Sequence, residues 1–121
     1  MNKPFVVTSS ERAWMGYEVM AVLRQCRGQG NAIRGSELAA RLKQRDDRKI
    51  RVVIDALIAE DIPIASSVSE PYGYYIIANE HEGLKYVQSL ESRRDEIQNR
   101  IDNFRKAAEK YFTLPQQMQM V

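Results

Sequence analysis

Five runs follow one another between Gly35 and Asn79, and their order decides the fold. They are Gly35-Ser36-Glu37-Leu38-Ala39-Ala40-Arg41-Leu42, Gln44-Arg45-Asp46-Asp47, Arg48-Lys49-Ile50-Arg51-Val52-Val53-Ile54-Asp55-Ala56-Leu57-Ile58-Ala59-Glu60, Ile62-Pro63-Ile64-Ala65-Ser66-Ser67 and Gly73-Tyr74-Tyr75-Ile76-Ile77. Ser36 predicts the N-cap of a short helix, and Glu37 then falls in its first turn, where negative charge suits the helix dipole. Leu38, Ala39 and Leu42 face inward there, while Arg41, Lys43 and Arg45 stay in water. After the charged turn, Ile50, Val53, Ile54, Leu57 and Ile58 recur at the spacing of a buried helical stripe. The opposite face then carries Arg48, Val52, Asp55 and Ala59, flanked by Lys49 and Arg51. Glu60-Asp61 and Pro63 end this second helix, and Ile62 and Ile64 alternate as a strand does. A helix set a few residues after another and closed by a small hairpin presents a row of side chains to a DNA groove. The expected core is therefore a winged helix-turn-helix.

Net charge of +2 conceals a strong division along the chain. Residues 24–51 hold nine bases against three acids, whereas residues 52–84 hold six acids and no Lys or Arg. The positive charge lies on the helix-turn-helix segment and its approach, the region a polyanion meets first. A solvated basic face without a partner is the plainer reading of the same charges.

At 121 residues, with 44% hydrophobic and 28% charged positions, the chain suits one compact domain plus an extension. No apolar run approaches the roughly 18 residues that span a bilayer, and Met1-Asn2-Lys3-Pro4-Phe5-Val6-Val7 turns polar too quickly for a signal peptide. The single cysteine, Cys26, forms no disulfide framework, fits a reducing cytoplasm and reads as a small packing residue. No membrane contact is expected.

Outside the central stretch, Thr8-Ser9-Ser10-Glu11 has capping-box spacing, so a helix begins near Ser9. It runs to about Arg27, before the breakers Gly28-Gln29-Gly30-Asn31. Trp14, Tyr17, Ala21 and either Val22 or Leu23 share one face, a stripe expected in the core. Ala32-Ile33-Arg34 reads as a single bridging strand. From Asn79 onward, Val87, Leu90, Arg94, Ile97, Ile101, Phe104, Ala108 and Tyr111 step by three and four, an a/d heptad seam. Arg94 interrupts it, either fixing register or marking a splayed point. An isolated helix of this length cannot bury such a stripe, so it packs on the winged domain, on a second copy, or on both. The expected divisions are 1–79 for the winged domain, 80–112 for a coiled-coil dimerisation helix and 113–121 for a flexible tail.

The central stretch resembles the winged-helix domain at the front of biotin operon repressors. Leu38-Ala39 with Leu42, Ile54-Asp55-Ala56-Leu57, Asp61-Ile62-Pro63-Ile64 and Gly73-Tyr74-Tyr75-Ile76 carry the resemblance, over about a third of the chain. The long C-terminal helix is similar to the architecture of PadR-like repressors and small phage-borne winged-helix proteins. The resemblance implies a dimeric DNA-binding regulator. Two departures stand out. Asp46-Asp47 occupies the start of the second helix, where such proteins contact phosphate, and the wing Ser66-Ser67-Val68-Ser69-Glu70-Pro71-Tyr72 holds no base.

The leading expectation is thus a homodimer that reads the major groove of double-stranded DNA with residues 47–60. Arg45, Arg48, Lys49 and Arg51 meet phosphates or guanine edges, and Val52 meets a thymine methyl. Asp55 either accepts from a cytosine amino group or repels phosphate. Val87, Leu90, Ile97, Ile101, Phe104, Ala108 and Tyr111 form the dimer seam. The alternative is a protein-assembly module, favoured by the acidic 52–84 segment and the uncharged wing. An enzyme is not expected, nor a metal or cofactor: His81 is the one histidine, no Cys/His set has zinc spacing, and no glycine-rich phosphate loop follows a strand.

Overall fold

The computed structural model describes residues 6–112. Helix α1 (Ser9–Leu23) opens on a reciprocal capping box. The Thr8 hydroxyl accepts the Glu11 amide at 3.1 Å and the Glu11 carboxylate accepts the Thr8 amide at 3.2 Å. The expected start is met, but the helix ends at Leu23 rather than near Arg27. The next residues are drawn into a sheet instead: the Ile76 amide donates to the Cys26 carbonyl and the Gly28 amide to the Ile76 carbonyl, both at 2.8 Å.

The expected aromatic stripe on α1 is not core. Trp14 and Tyr17 are exposed, Tyr17 to 73%, and the buried face is Met15, Gly16, Val19 and Leu23. This helix is apolar on several sides, so periodicity alone does not choose among them. Packing against the third helix does: at Gly16 a Cβ would lie in ordinary contact, 3.8 Å from Leu57 Cδ2. Cys26 is buried as a packing residue, its thiol 3.5 Å from the Val22 carbonyl. Burial pushes that thiol's pKa up, away from nucleophilic character.

Helix α2 (Gly35–Arg41) buries Leu38 and Ala39, with Leu42 just beyond its end, as the sequence indicated. Its N-cap is Arg34 rather than Ser36, because Ile33 is already paired with the sheet and the chain turns helical at once. Helix α3 (Arg48–Ala59) buries Ile50, Val53, Ile54 and Leu57. Ile58 leaves the expected stripe and is 44% exposed, because it stands about 90° from the stripe's centre. Both helices end in Schellman motifs without glycine. Lys43 (φ 56°) and Asp61 (φ 71°) take the left-handed position. Gln44 then bonds back to Ala39, and Ile62 to Leu57.

Strands β1 (Ile64–Ser67) and β2 (Gly73–Ile76) form an antiparallel hairpin in which Ile64 faces Ile76 and Ser67 faces Gly73. The other edge of β2 holds the expected Ile33 bridge to Tyr74 and a bridge from Arg27 to Ile76. Side chains from all three helices, with Ile33 and Ile64, close one hydrophobic core. The fold is mainly α with a small hairpin, a winged helix-turn-helix followed by the long helix α4 (Glu80–Tyr111).

The chain divides into two compact units between Gly83 and Leu84. The first turn of α4 belongs with the winged unit for a local reason. Asn79 Oδ1 caps the Glu82 amide at 2.9 Å, and the Glu82 carboxylate accepts the Ala78 amide at 2.8 Å and the Gln29 amide at 3.0 Å. The expected tail, 113–121, lies outside the described residues.

Candidate nucleic-acid interface

Burial of one face of α3 against the core fixes what the other presents. Arg48, Arg51, Val52 and Asp55 are all exposed, with Val52 at 39%. Arg45 is exposed in the preceding turn and makes no ion pair among the described residues.

The two arginines of α3 are engaged by the acids of that turn. Asp46 accepts the Arg48 amide at 3.1 Å and the Arg48 guanidinium at 3.0 Å. These side-chain and backbone bonds hold the Asp46 carboxyl below the usual aspartate range. Asp47 accepts Arg51 through both oxygens. It also lies over the start of α2, where a Cβ on Gly35 would come within 2.8 Å of its Oδ2 and 3.3 Å of the Tyr74 ring. The beginnings of α2 and α3 and the base of the wing therefore meet at Gly35, and a side chain there would displace the Asp47 carboxylate and crowd the Tyr74 ring.

Lys49, expected on the flank of that row, takes a different partner. It is only partly exposed and turns back to an ion pair with Glu11 in the first turn of α1. The Lys49 hydrogen bond, followed by the Thr8 amide, holds the Glu11 carboxyl below its ordinary range. At about 90° from the buried stripe, Lys49 sits on the flank where α1 packs.

The Ser67 hydroxyl of the wing is committed within the protein. Ser67 Oγ donates to the Ser69 carbonyl at 2.6 Å and accepts the Ser69 amide and the Gln29 side-chain amide. Gln29 donates also to the Glu70 carbonyl at 3.2 Å, fastening the wing to the segment after α1. A cation does stand at the wing, and it comes from elsewhere in the chain. Arg34 lies 3.8 Å from Glu70 and 5.7 Å from the centre of the Tyr72 ring. The bridging character of Ala32-Ile33-Arg34 was visible in the sequence, but the wing as its destination was not.

On α4, Val87, Leu90, Ile97, Ile101, Phe104 and Tyr111 are exposed, and Ala108 is buried. Arg94 is exposed, paired with the adjacent Asp95. Among the described residues no cluster of His, Cys, Asp or Glu could hold a metal ion, and no helix is long and apolar enough to cross a membrane.

Compared with known proteins, the chain matches no family model, no curated protein and no solved structure at a significant level. The class that the architecture defines is a helix-turn-helix topology with a hairpin and a long C-terminal helix.

Proposed function

We propose that this protein binds double-stranded DNA as a homodimer, presenting α3 to the major groove and pairing through the apolar seam of α4. One observation carries the reading: α3 turns Arg48, Arg51, Val52 and Asp55 outward in a single row, with Arg45 at its approach. That row combines cations for phosphates with groups able to distinguish base edges. The exposed run of Val87, Leu90, Ile97, Ile101 and Phe104 supports pairing, since an isolated helix leaves such a seam in water. Lys49, half as exposed as Arg48 and Arg51 and turned toward Glu11, contributes less than the arginines.

In finer detail the reading is of a cytoplasmic transcriptional regulator, comparable to the biotin operon repressor domain, PadR-like repressors or phage-borne control proteins. The sequence motifs of the first helix, the second helix and the hairpin support that comparison.

A second reading, an assembly module that binds other proteins, draws on the ion pairs that Asp46 and Asp47 make with Arg48 and Arg51. Binding of the full chain to random-sequence duplex over a salt series separates the two, because only phosphate neutralisation gives a steep slope. The triple variant R45A/R48A/R51A should lose most of the affinity and flatten the slope by up to about three units. Equal binding by the triple variant and the parent would move the reading to protein assembly.

A further inference from the structure

We propose that Arg34 is the cation through which the wing engages a DNA phosphate, and that Glu70 holds it in the free protein. The inference rests on the DNA-binding reading above and extends it to a contact outside α3.

Residues 66–72 contain no Lys or Arg, so by composition the wing is a poor partner for a polyanion. The fold supplies what the segment lacks. Ile33 pairs with Tyr74 through two hydrogen bonds, 2.9 Å from its amide to the Tyr74 carbonyl and 2.7 Å in the reverse direction. The approach is possible because residue 73 is glycine (φ 124°): a Cβ there would lie 2.1 Å from the Ile33 carbonyl oxygen. With Ile33 seated, Arg34 emerges beside the wing, its guanidinium over Tyr72 and 3.8 Å from Glu70. Gln29 pins the wing's backbone from the same side, so the loop and the cation are held by one short segment.

The chemistry suits an exchange of anions. Arg34 and Glu70 are both well exposed, with side chains 61% and 74% accessible, so water and salt screen their pair. A phosphate offers the same oxygen geometry to the guanidinium and releases condensed counterions as it is neutralised. The Tyr72 ring limits the motion of the guanidinium, so less freedom is lost when phosphate replaces carboxylate. Glu70 then works against binding in two ways, by competing for Arg34 and by repelling the backbone.

The test is fluorescence anisotropy of the full chain with random-sequence duplex across a salt series, comparing R34A, R34K, E70Q and R34A/E70Q. Arg34→Ala should weaken binding and flatten the log K versus log salt slope by up to about one unit. Arg34→Lys should keep the slope and bind more weakly than the parent. Glu70→Gln should tighten binding severalfold in the parent and much less in the R34A background. If R34A matches the parent while R45A/R48A/R51A loses binding, the wing contact is wrong and the α3 reading stands. If the E70Q gain is undiminished in R34A, Glu70 does not act through Arg34. If neither set of variants differs from the parent, the DNA reading itself fails.

Discussion

The Arg51 guanidinium forks onto the Asp47 carboxylate, with Nε 3.3 Å from Oδ2 and Nη2 3.1 Å from Oδ1. If α3 binds DNA as proposed, this carboxylate competes with phosphate for Arg51 at the start of the helix. Asp47→Asn should tighten binding to random-sequence duplex by several-fold at low salt, with the gain shrinking as salt rises. Anisotropy titrations at three salt concentrations check this. Unchanged affinity, with R45A/R48A/R51A still impaired, would mean that α3 approaches DNA with its first turn away from the backbone.

The α4 seam gives a prediction about assembly. Ile101→Asp places a charge among Val87, Leu90, Ile97 and Phe104, where a partner helix would have to desolvate it. Light scattering should report a dimer for the parent and a monomer for the variant. A dimer of undiminished stability in the variant would locate self-association elsewhere on the molecule.

Gly73→Ala should be among the most damaging single substitutions. Its left-handed backbone alone costs an L-residue about 1–3 kcal/mol, and the added methyl would collide with the Ile33 carbonyl 2.1 Å away. The Ile33–Tyr74 bridge should open, lowering the urea midpoint and also weakening DNA binding if Arg34 acts as proposed. Ala substitution at exposed Gly30, where a Cβ meets nothing within 4 Å, is the control and should leave the midpoint nearly unchanged.

Glu11 links pH to stability. Its carboxyl titrates below its ordinary range because Lys49 and the Thr8 amide favour the charged form. A depressed folded-state value means that the stabilisation is complete above the unfolded-state value and fades as pH falls through the folded one. Glu11→Gln keeps an acceptor for the Thr8 amide but loses the ion pair. Urea midpoints from about pH 7 to about pH 3 should show the variant less stable at the neutral end, with the gap closing toward acid. A constant gap would assign the loss to altered packing or capping instead of charge.

Much of the architecture was legible because it rests on local rules. The Thr8–Glu11 box marks its own helix start, and Ile50, Val53, Ile54 and Leu57 recur with the period of one helical face. The strands lie within the segments read from alternation and from Gly73-Tyr74. On the candidate site, the same periodicity placed Arg48, Val52 and Asp55 on the outer face of α3. Lys49 and Ile58 both lie about 90° from the stripe, where a neighbouring element decides between burial and water: Ile58, read as part of the stripe, is exposed, and Lys49, read as flanking the outer face, pairs with Glu11. Trp14 and Tyr17 were misread for a related reason, since α1 offers more than one apolar side and only the seating of α3 at Gly16 selects Met15, Val19 and Leu23.

The sequence by itself determined the order of elements, the buried stripe of α3, the apolar periodicity of α4 and the concentration of positive charge in residues 24–51. Each depends on residues close together in the chain, whose geometry the helix and strand periods dictate. Only the tertiary structure decided where the charges go. Lys49 meets Glu11 across 38 positions, and Arg34 meets Glu70 across 36, pairings set by helix packing and by the Ile33 bridge rather than by spacing. An ion pair between distant residues has no periodic signature. It exists because the core brings two side chains to the same place, and so the wing's cation could be found only in the folded chain.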